Sequence, residues 1–401
     1  MRARVGTCVV KAVPGAPSPL DIEASTSKSK AVEPAIVIGA GPAGLAAAAM
    51  LQASGIGTLV VERAPEVGST WRAHYARLHL HTERRLSSLP GLELPREYGK
   101  WVPRAQVVEY LESYARHYQI KVKHGVQVDR VEREGDAWRV ETAQGPLSAR
   151  AVVVATGFNH TPRLPDWTGH FAGELLHSSA YKTPGPYRGR DVLVVGTGNS
   201  GAEIAVDLVE GGAARVRVAV RTPPNILRRE VAGISSQRLG LSMKFLPEKL
   251  RDPVAKAMQR LSIGDLSAHG LQASPRGPYT RAREGQIPIL DVGFVDALKQ
   301  GQLSVVPAVT GFDGRDVLLE GGGRIQPDAV IAATGYFRAL EKLVGHLGVL
   351  SPQGLPLKHG PDAPTPRLHF IGYSNPVSGN LREIAIDART LARAVAKELA
   401  S

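Results

Sequence analysis

From Pro34 onward, apolar positions fall into short runs alternating with longer stretches of helical period. Ala35-Ile-Val-Ile38 is an apolar run that ends in glycines, the pattern of a strand buried on both faces. Ala43 to Ala53 is rich in small helix formers and predicts a helix. Thr58-Leu-Val-Val61 predicts the next strand. The same order returns 157 positions on, counted from Gly39 to Gly196: strand Val192–Val195, helix Ala202–Glu210, strand Val216–Val220. Two β-α-β units in one chain suggest two dinucleotide sites. Val107, Tyr110, Leu111, Tyr114 and Tyr118 share one helical face and predict an amphipathic helix near 104–119. Ile384, Ala388, Leu391, Val395 and Leu399 do the same for a C-terminal helix that starts near Leu381. Residues 222–290 sustain no period. Residues 1–33 carry Pro, Ser, Thr and scattered basic residues, and are expected to be a disordered tail. Arg2 and Arg4 weakly resemble a targeting segment, but no apolar core follows them.

Composition narrows the class. The 401 residues suggest two or three domains. With 43% hydrophobic and 21% charged residues and a mean hydropathy of −0.10, the chain reads as a soluble globular protein. No apolar stretch approaches the ~18–20 residues of a bilayer span, so none is expected, and a cytoplasmic location is. Cys8 is the single cysteine, which excludes an intramolecular disulfide, a redox-active cysteine pair and a Cys-rich zinc site. His74, His79 and His81 cluster in sequence without metal-ligand spacing, so no metal is expected. The net charge of +12 fits nucleic acid, a membrane surface, anionic small molecules or plain solubility. Aromatics at 5% and dispersed basic residues argue against nucleic acid.

The first glycine loop is Gly39-Ala-Gly41-Pro-Ala-Gly44. Its first glycine permits the tight turn, the second lets a pyrophosphate reach the backbone, and the third lets helix and strand pack closely. Glu62 ends the next strand, where a carboxylate can accept from ribose hydroxyls and would repel a 2′-phosphate. That suits FAD or NAD. The second loop is Gly196-Thr-Gly198-Asn199-Ser200-Gly201, and Arg221 stands where an acid would otherwise end the following strand. A guanidinium there can pair with a 2′-phosphate, which favours NADPH. Two further strands end alike, in Ala155-Thr156-Gly157 and Ala333-Thr334-Gly335. They read as the two crossings between an outer FAD domain and an inserted NADPH domain.

Between the loops, Phe171-Ala-Gly173-Glu-Leu-Leu-His177-Ser-Ser-Ala-Tyr181 fits F-x-G-x-x-x-H-x-x-x-Y/F. With the two loops and the paired Ala-Thr-Gly segments, this resembles the class B flavin-dependent monooxygenases. The motif continues Lys182-Thr183-Pro184, unlike the Trp-Pro of the Baeyer–Villiger branch, and is similar to the flavin-containing monooxygenase branch. Leu78-His-Leu-His81, Tyr110-Leu-Glu-Ser-Tyr114, Leu176-His-Ser-Ser-Ala-Tyr-Lys182, Val194 to Gly201 and Pro288-Ile-Leu-Asp-Val-Gly293 resemble the YUCCA enzymes of plants and their bacterial relatives. One stretch differs. YUCCA enzymes carry a basic, glycine-rich segment before the last helix, where this chain reads Gly372-Tyr-Ser-Asn-Pro-Val-Ser-Gly379-Asn-Leu-Arg382.

The resemblance implies an α/β protein with two Rossmann-like dinucleotide-binding domains, the NADPH domain inserted in a discontinuous FAD domain. The expected limits are 34–168 and 303–401 for FAD and 169–302 for NADPH with a substrate-proximal insert. It further implies FAD, NADPH and O2, a flavin C(4a)-hydroperoxide, and oxidative decarboxylation of a 2-oxo acid such as indole-3-pyruvate. N- or S-oxygenation of amines or sulfides and uncoupled NADPH oxidation are the alternatives. Because the flavin carries the chemistry, no catalytic triad or metal cluster is called for. By motif position Arg229 and Arg382 are candidates for a substrate carboxylate, Trp71 for a flavin contact and Val128 for adenine. His177 is expected to organise the domain junction. The helix near Leu381 could aim its dipole at the flavin. A homo-oligomer is left open.

Overall fold

The computed structural model describes residues 32–374, 376 and 378–401. Residues 1–31 of the expected tail therefore lie outside the described residues; Val32 is exposed and Glu33 already belongs to the first strand, β1 (Glu33–Ile38). β1 leads through Gly39 to α1 (Pro42–Ala53) and β2 (Thr58–Val61). A short helix α2 (Ser69–Ala73) and the amphipathic α3 (Arg104–His117) follow, then β3 (Val122–Lys123). β4 (Val128–Glu134), β5 (Ala137–Thr142) and β6 (Leu147–Val154) form an antiparallel meander. The first sheet runs β3-β2-β1-β6-β5-β4. β3, β2, β1 and β6 are parallel, and Leu147–Ala149 of β6 pairs with β5. Its other half, Val152–Val154, pairs with a late strand, Leu368–Phe370.

The second sheet repeats the plan. Its strands are β7 (Glu174–His177), β8 (Asp191–Val195), β9 (Arg215–Ala219), β10 (Ser304–Val306) and β11 (Ala329–Ala332), all parallel, in the order β10-β9-β8-β11-β7. α4 (Asn199–Glu210) connects β8 to β9. It starts three residues before the expected Ala202, because Gly198 supplies the extended residue at its start. Two dinucleotide-binding units are thus present.

The second sheet extends beyond position 303, the expected return to the first unit: Ser304–Val306 and Ala329–Ala332 hydrogen-bond inside it. The return follows β11, where Tyr336–Phe337 pairs antiparallel with Thr161–Pro162. The two crossings thus run side by side, each just beyond an Ala-Thr-Gly segment. The unreadable stretch 222–290 holds two distant parallel strands, Ile226–Arg228 and Ile289–Asp291, and a helix α5 (Glu248–Ile263). The chain ends in α6 (Asn380–Ala400).

α1 is made almost wholly of small residues because it is enclosed. Leu45, Ala46, Ala47, Ala48 and Ala49 are fully buried, with Ile384, Ala388, Leu391 and Val395 of α6 in the same core. A helix apolar all round is the expected solution for such a position. No helix among the described residues is long and apolar enough to cross a membrane.

Candidate functional site

The two glycine loops are built alike, and both depend on the fourth strand of their sheet. Gly39 has φ +106° and Gly196 φ +108°, conformations that side chains rarely adopt. A Cβ on Gly39 would stand 2.6 Å from the Ala155 carbonyl oxygen, and one on Gly196 2.6 Å from that of Ala333. Each Ala-Thr-Gly segment therefore presses on the first glycine of its own loop. The third glycines pack closer still: a Cβ on Gly44 would lie 1.8 Å from the Gly39 oxygen, and one on Gly201 2.0 Å from the Gly196 oxygen.

The middle glycine is different. Gly41 begins α1 with φ −79°, no side chain caps the helix, and a Cβ there would meet nothing within 4 Å. It opens onto a cavity of about 790 Å³. Glu62 is buried on the same wall, accepting from the Ala40 N–H at 2.7 Å and the Ala64 N–H at 2.9 Å. Each of its oxygens keeps a lone pair beyond those bonds. An uncapped helix N-terminus, an open cradle and a fixed carboxylate suit a dinucleotide. Trp71 on α2, Val128 at the start of β4, and Thr156 and Gly157 after β6 also line this cavity. Thr156 shares a 2.7 Å hydrogen bond with the buried Tyr373 hydroxyl, whose pKa burial raises.

The second loop reaches the same cavity through Asn199 and Ser200. Asn199 accepts from the Leu290 N–H at 2.7 Å and donates to the Pro288 oxygen at 3.2 Å, tying the loop to the insert. Gly198 opens α4 without a side-chain cap, as Gly41 opens α1. Gly196, Gly198, Gly201, Thr334 and Gly335 lie off the cavity wall. So does Arg221, exposed just past β9 with no salt bridge among the described residues.

Phe171, Gly173, His177 and Tyr181 of the linker motif all have packing or hydrogen-bond partners inside the protein. The Phe171 ring fills the space a Gly173 side chain would need, 2.6 Å from that Cβ. His177 Nδ1 accepts from the Ser179 N–H at 3.1 Å, so Nε2 carries the proton and donates to the Gly335 oxygen at 3.0 Å. Burial lowers the pKa of this imidazole. The same Gly335 oxygen accepts from the Arg163 N–H at 3.0 Å, and Thr334 donates to the Arg163 oxygen. His177 is thereby bonded to the crossings. Tyr181 donates to Asp207 at 2.7 Å beneath α4.

Neither arginine proposed for a substrate carboxylate lines the cavity. Arg382 donates to Glu383 at 2.7 Å, and Arg229 lies 4.5 Å above the Trp101 ring. Each guanidinium has found a partner inside the protein. Asn375 and Val377, in the stretch before α6, lie outside the described residues. That helix does reach the site: Gly379, Asn380 and Leu381 at its N-terminus line the cavity.

A buried polar cluster was not foreseen. Glu203 on α4 is 3% exposed, and Tyr75 donates to it. His81 Nε2 stands 3.7 Å from its other oxygen, and both Tyr75 and His81 line the cavity. Burial pushes the Glu203 carboxyl up to about 7, against the pull of Tyr75, Arg77 and Arg229. Burial pushes His81 down to about 4, helped by Arg229 and His79, and His74 down to about 4, helped by Lys182 and Arg104. These two imidazoles are neutral at neutral pH. His81 Nδ1 is buried with no partner among the described residues. The available signal was a carboxylate between Ala202 and Ile204 in an apolar helix.

Glu203→Gln tests this cluster. With its folded pKa raised, Glu203 keeps between pH 4.5 and about 7 a proton that the unfolded chain releases. Its contribution to stability is therefore lost as pH rises through that window, by roughly 3 kcal/mol at most. The histidines act in the opposite sense, but equally in both proteins. Melting temperatures at pH 5 and pH 8 should show the variant gaining on the wild type at pH 8. An offset independent of pH would contradict the raised carboxyl.

Fold and cavity together define an oxidoreductase with two dinucleotide units opening on one enclosure and no cysteine pair. Residues 36–241 match the family described as pyridine nucleotide-disulphide oxidoreductase. The indole-3-pyruvate monooxygenase YUCCA1 of Oryza sativa subsp. japonica is 39% identical over 310 residues, 75% of this chain and 76% of that protein. The probable indole-3-pyruvate monooxygenase YUCCA3 of Arabidopsis thaliana is 33% identical over 379 residues, 90% and 86% of the two chains. Among solved structures, a double mutant of a flavin monooxygenase from Stenotrophomonas maltophilia aligns with a TM-score of 0.69 at 28% identity, over 90% of this chain and 98% of that one. The chain belongs to the flavin-dependent monooxygenases, with the YUCCA enzymes among its relatives. The resemblance drawn from the loops and the linker motif is borne out. Membership implies a flavin and a nicotinamide cofactor.

Proposed function

We propose that the chain is an FAD-containing, NADPH- and O2-dependent monooxygenase that decarboxylates a small 2-oxo acid of the indole-3-pyruvate kind. The observation that carries this reading is the shared cavity. Gly41 of one loop and Asn199 and Ser200 of the other open onto it, so two dinucleotides seated on their loops would share one enclosure. The names of the relatives, indole-3-pyruvate monooxygenases, supply the substrate class.

On this reading FAD supplies hydride acceptance from the nicotinamide and activation of O2. The rest falls to the protein. Gly41 and the free N–H groups of α1 would hold the flavin pyrophosphate. Glu62 would accept from its ribose, Val128 would border the adenine, and Trp71, Thr156 and Gly157 would border the remainder. Arg221 would meet the NADPH 2′-phosphate. The positive end of the α6 dipole, at Gly379–Leu381, favours negative charge on the substrate or the ring. Leu78, Leu227, Ile287 and Leu290 give the cavity an apolar wall that limits water.

A second reading, oxygenation of an amine or sulfide, is favoured by one observation. Among the described residues, the only Arg or Lys on the wall are Arg63, beside Glu62, and Lys342, beside the Leu343 that packs with Val128, both at the proposed adenosine end. The test is NADPH consumption over a panel of 2-oxo acids, amines and sulfides, with product mass spectrometry and peroxide assay. One CO2 per NADPH with an aromatic 2-oxo acid is expected. N- or S-oxide formation without decarboxylation would establish the second reading, and stoichiometric peroxide with every compound an oxidase.

A further inference from the structure

Helix α5 presents an apolar face to solvent. At 100° per residue, Leu250, Val254, Ala257 and Leu261 fall within a band about 60° wide. Leu250 is 50% and Leu261 89% exposed, and Phe245, three residues before the helix, is 91% exposed. The residues that α5 buries, Ala255 and Ile263, lie on the opposite side of the helix. Its inner face is thus satisfied, and the stripe is additional. Single exposed leucines are ordinary, but an aligned set marks an interaction surface.

Charge selects the partner. Lys249, Lys256 and Arg260 lie along one flank of the stripe. The acids of the helix are engaged elsewhere. Glu248 pairs with Arg283, and Asp252 accepts from the Tyr279 N–H at 2.7 Å and from Thr280. Lys256 donates to the Pro275 oxygen, while Lys249 and Arg260 have no salt bridge among the described residues. Asp265, just beyond the helix, is held by Ser267. An apolar stripe with a cationic flank is the design of a helix lying in a bilayer interface, its leucines below the headgroups and its lysines beside anionic ones. The chain as a whole carries +12.

We propose that the outward face of α5, with Phe245, docks this enzyme on anionic lipid bilayers. The inference is independent of the substrate, since none of these side chains lines the cavity. The test is co-sedimentation of the full chain with vesicles of phosphatidylcholine alone and of phosphatidylcholine mixed with phosphatidylglycerol. Binding should be at least about tenfold tighter to the anionic vesicles and weaken with salt. Phe245→Ser with Leu261→Asp, and separately Lys249→Glu with Arg260→Glu, should each lower it about tenfold or more, with NADPH oxidation unchanged. Equal binding by wild type and variants, or none to either vesicle, would overturn the proposal. So would a dimer in light scattering that the same substitutions dissolve, which would give the face to a second copy of the chain.

Discussion

Gly41→Val should yield a folded protein that purifies without flavin colour. Gly41 has φ −79° and ψ −176°, extended values open to any residue, and its Cβ would meet no protein atom within 4 Å. The fold therefore tolerates the side chain, while its methyl groups occupy the space in front of the uncapped α1 N-terminus. A pyrophosphate held off those N–H groups loses two or more charge-assisted hydrogen bonds, which translates to about a hundredfold or more in affinity. The checks are visible absorbance after gel filtration, FAD titration by fluorescence, and melting of the apoprotein, which should stay close to that of wild-type apoprotein. Gly44→Ala is the contrast. Its Cβ would sit 1.8 Å from the Gly39 oxygen, so stability and flavin should be lost together. A yellow Gly41→Val protein with normal FAD affinity would remove the first loop from the cofactor site.

The second large effect is expected at Arg221. Its guanidinium is exposed, and it has no salt bridge among the described residues to lose on truncation. Arg221→Ala should leave the melting temperature unchanged and raise the KM for NADPH roughly ten- to a hundredfold, the worth of a charge-assisted contact to a phosphate. The KM for NADH, which has no 2′-phosphate, should stay the same, and so should kcat. Equal changes for both nucleotides would assign Arg221 to general electrostatics and leave the NADPH preference to another residue.

The loops were readable because their requirements are local. A positive φ at Gly39, a close approach at Gly44 and an open face at Gly41 concern residues close together in the chain; the fold itself excludes side chains at Gly39 and Gly44, and at Gly41 only a ligand would. The linker motif was readable for a similar reason: Gly173 yields to Phe171, two positions away. Arg229 and Arg382 were not. Motif position says that a cation is present, but not whether Trp101 or Glu383 takes it. Glu203 was missed because a carboxylate two residues beyond the last glycine reads as a solvated helix residue until Tyr75 and His81, more than a hundred positions earlier, are found against it.

By itself, then, the sequence determined two β-α-β units, their glycine turns, the charge that ends each second strand, and the family. All of these are short-range patterns in which backbone sterics and side-chain periodicity leave little choice. Only the tertiary structure decided that Gly41 and Asn199 open onto one cavity, that strands at 304 and 329 complete the second sheet, and that the candidate arginines are engaged by Trp101 and Glu383 and do not line the cavity. It also decided that α5 turns its leucines outward. Those outcomes depend on which distant surfaces are buried against each other. Burial is a property of the packed chain, and it sets both the pKa of Glu203 and the loneliness of Leu261.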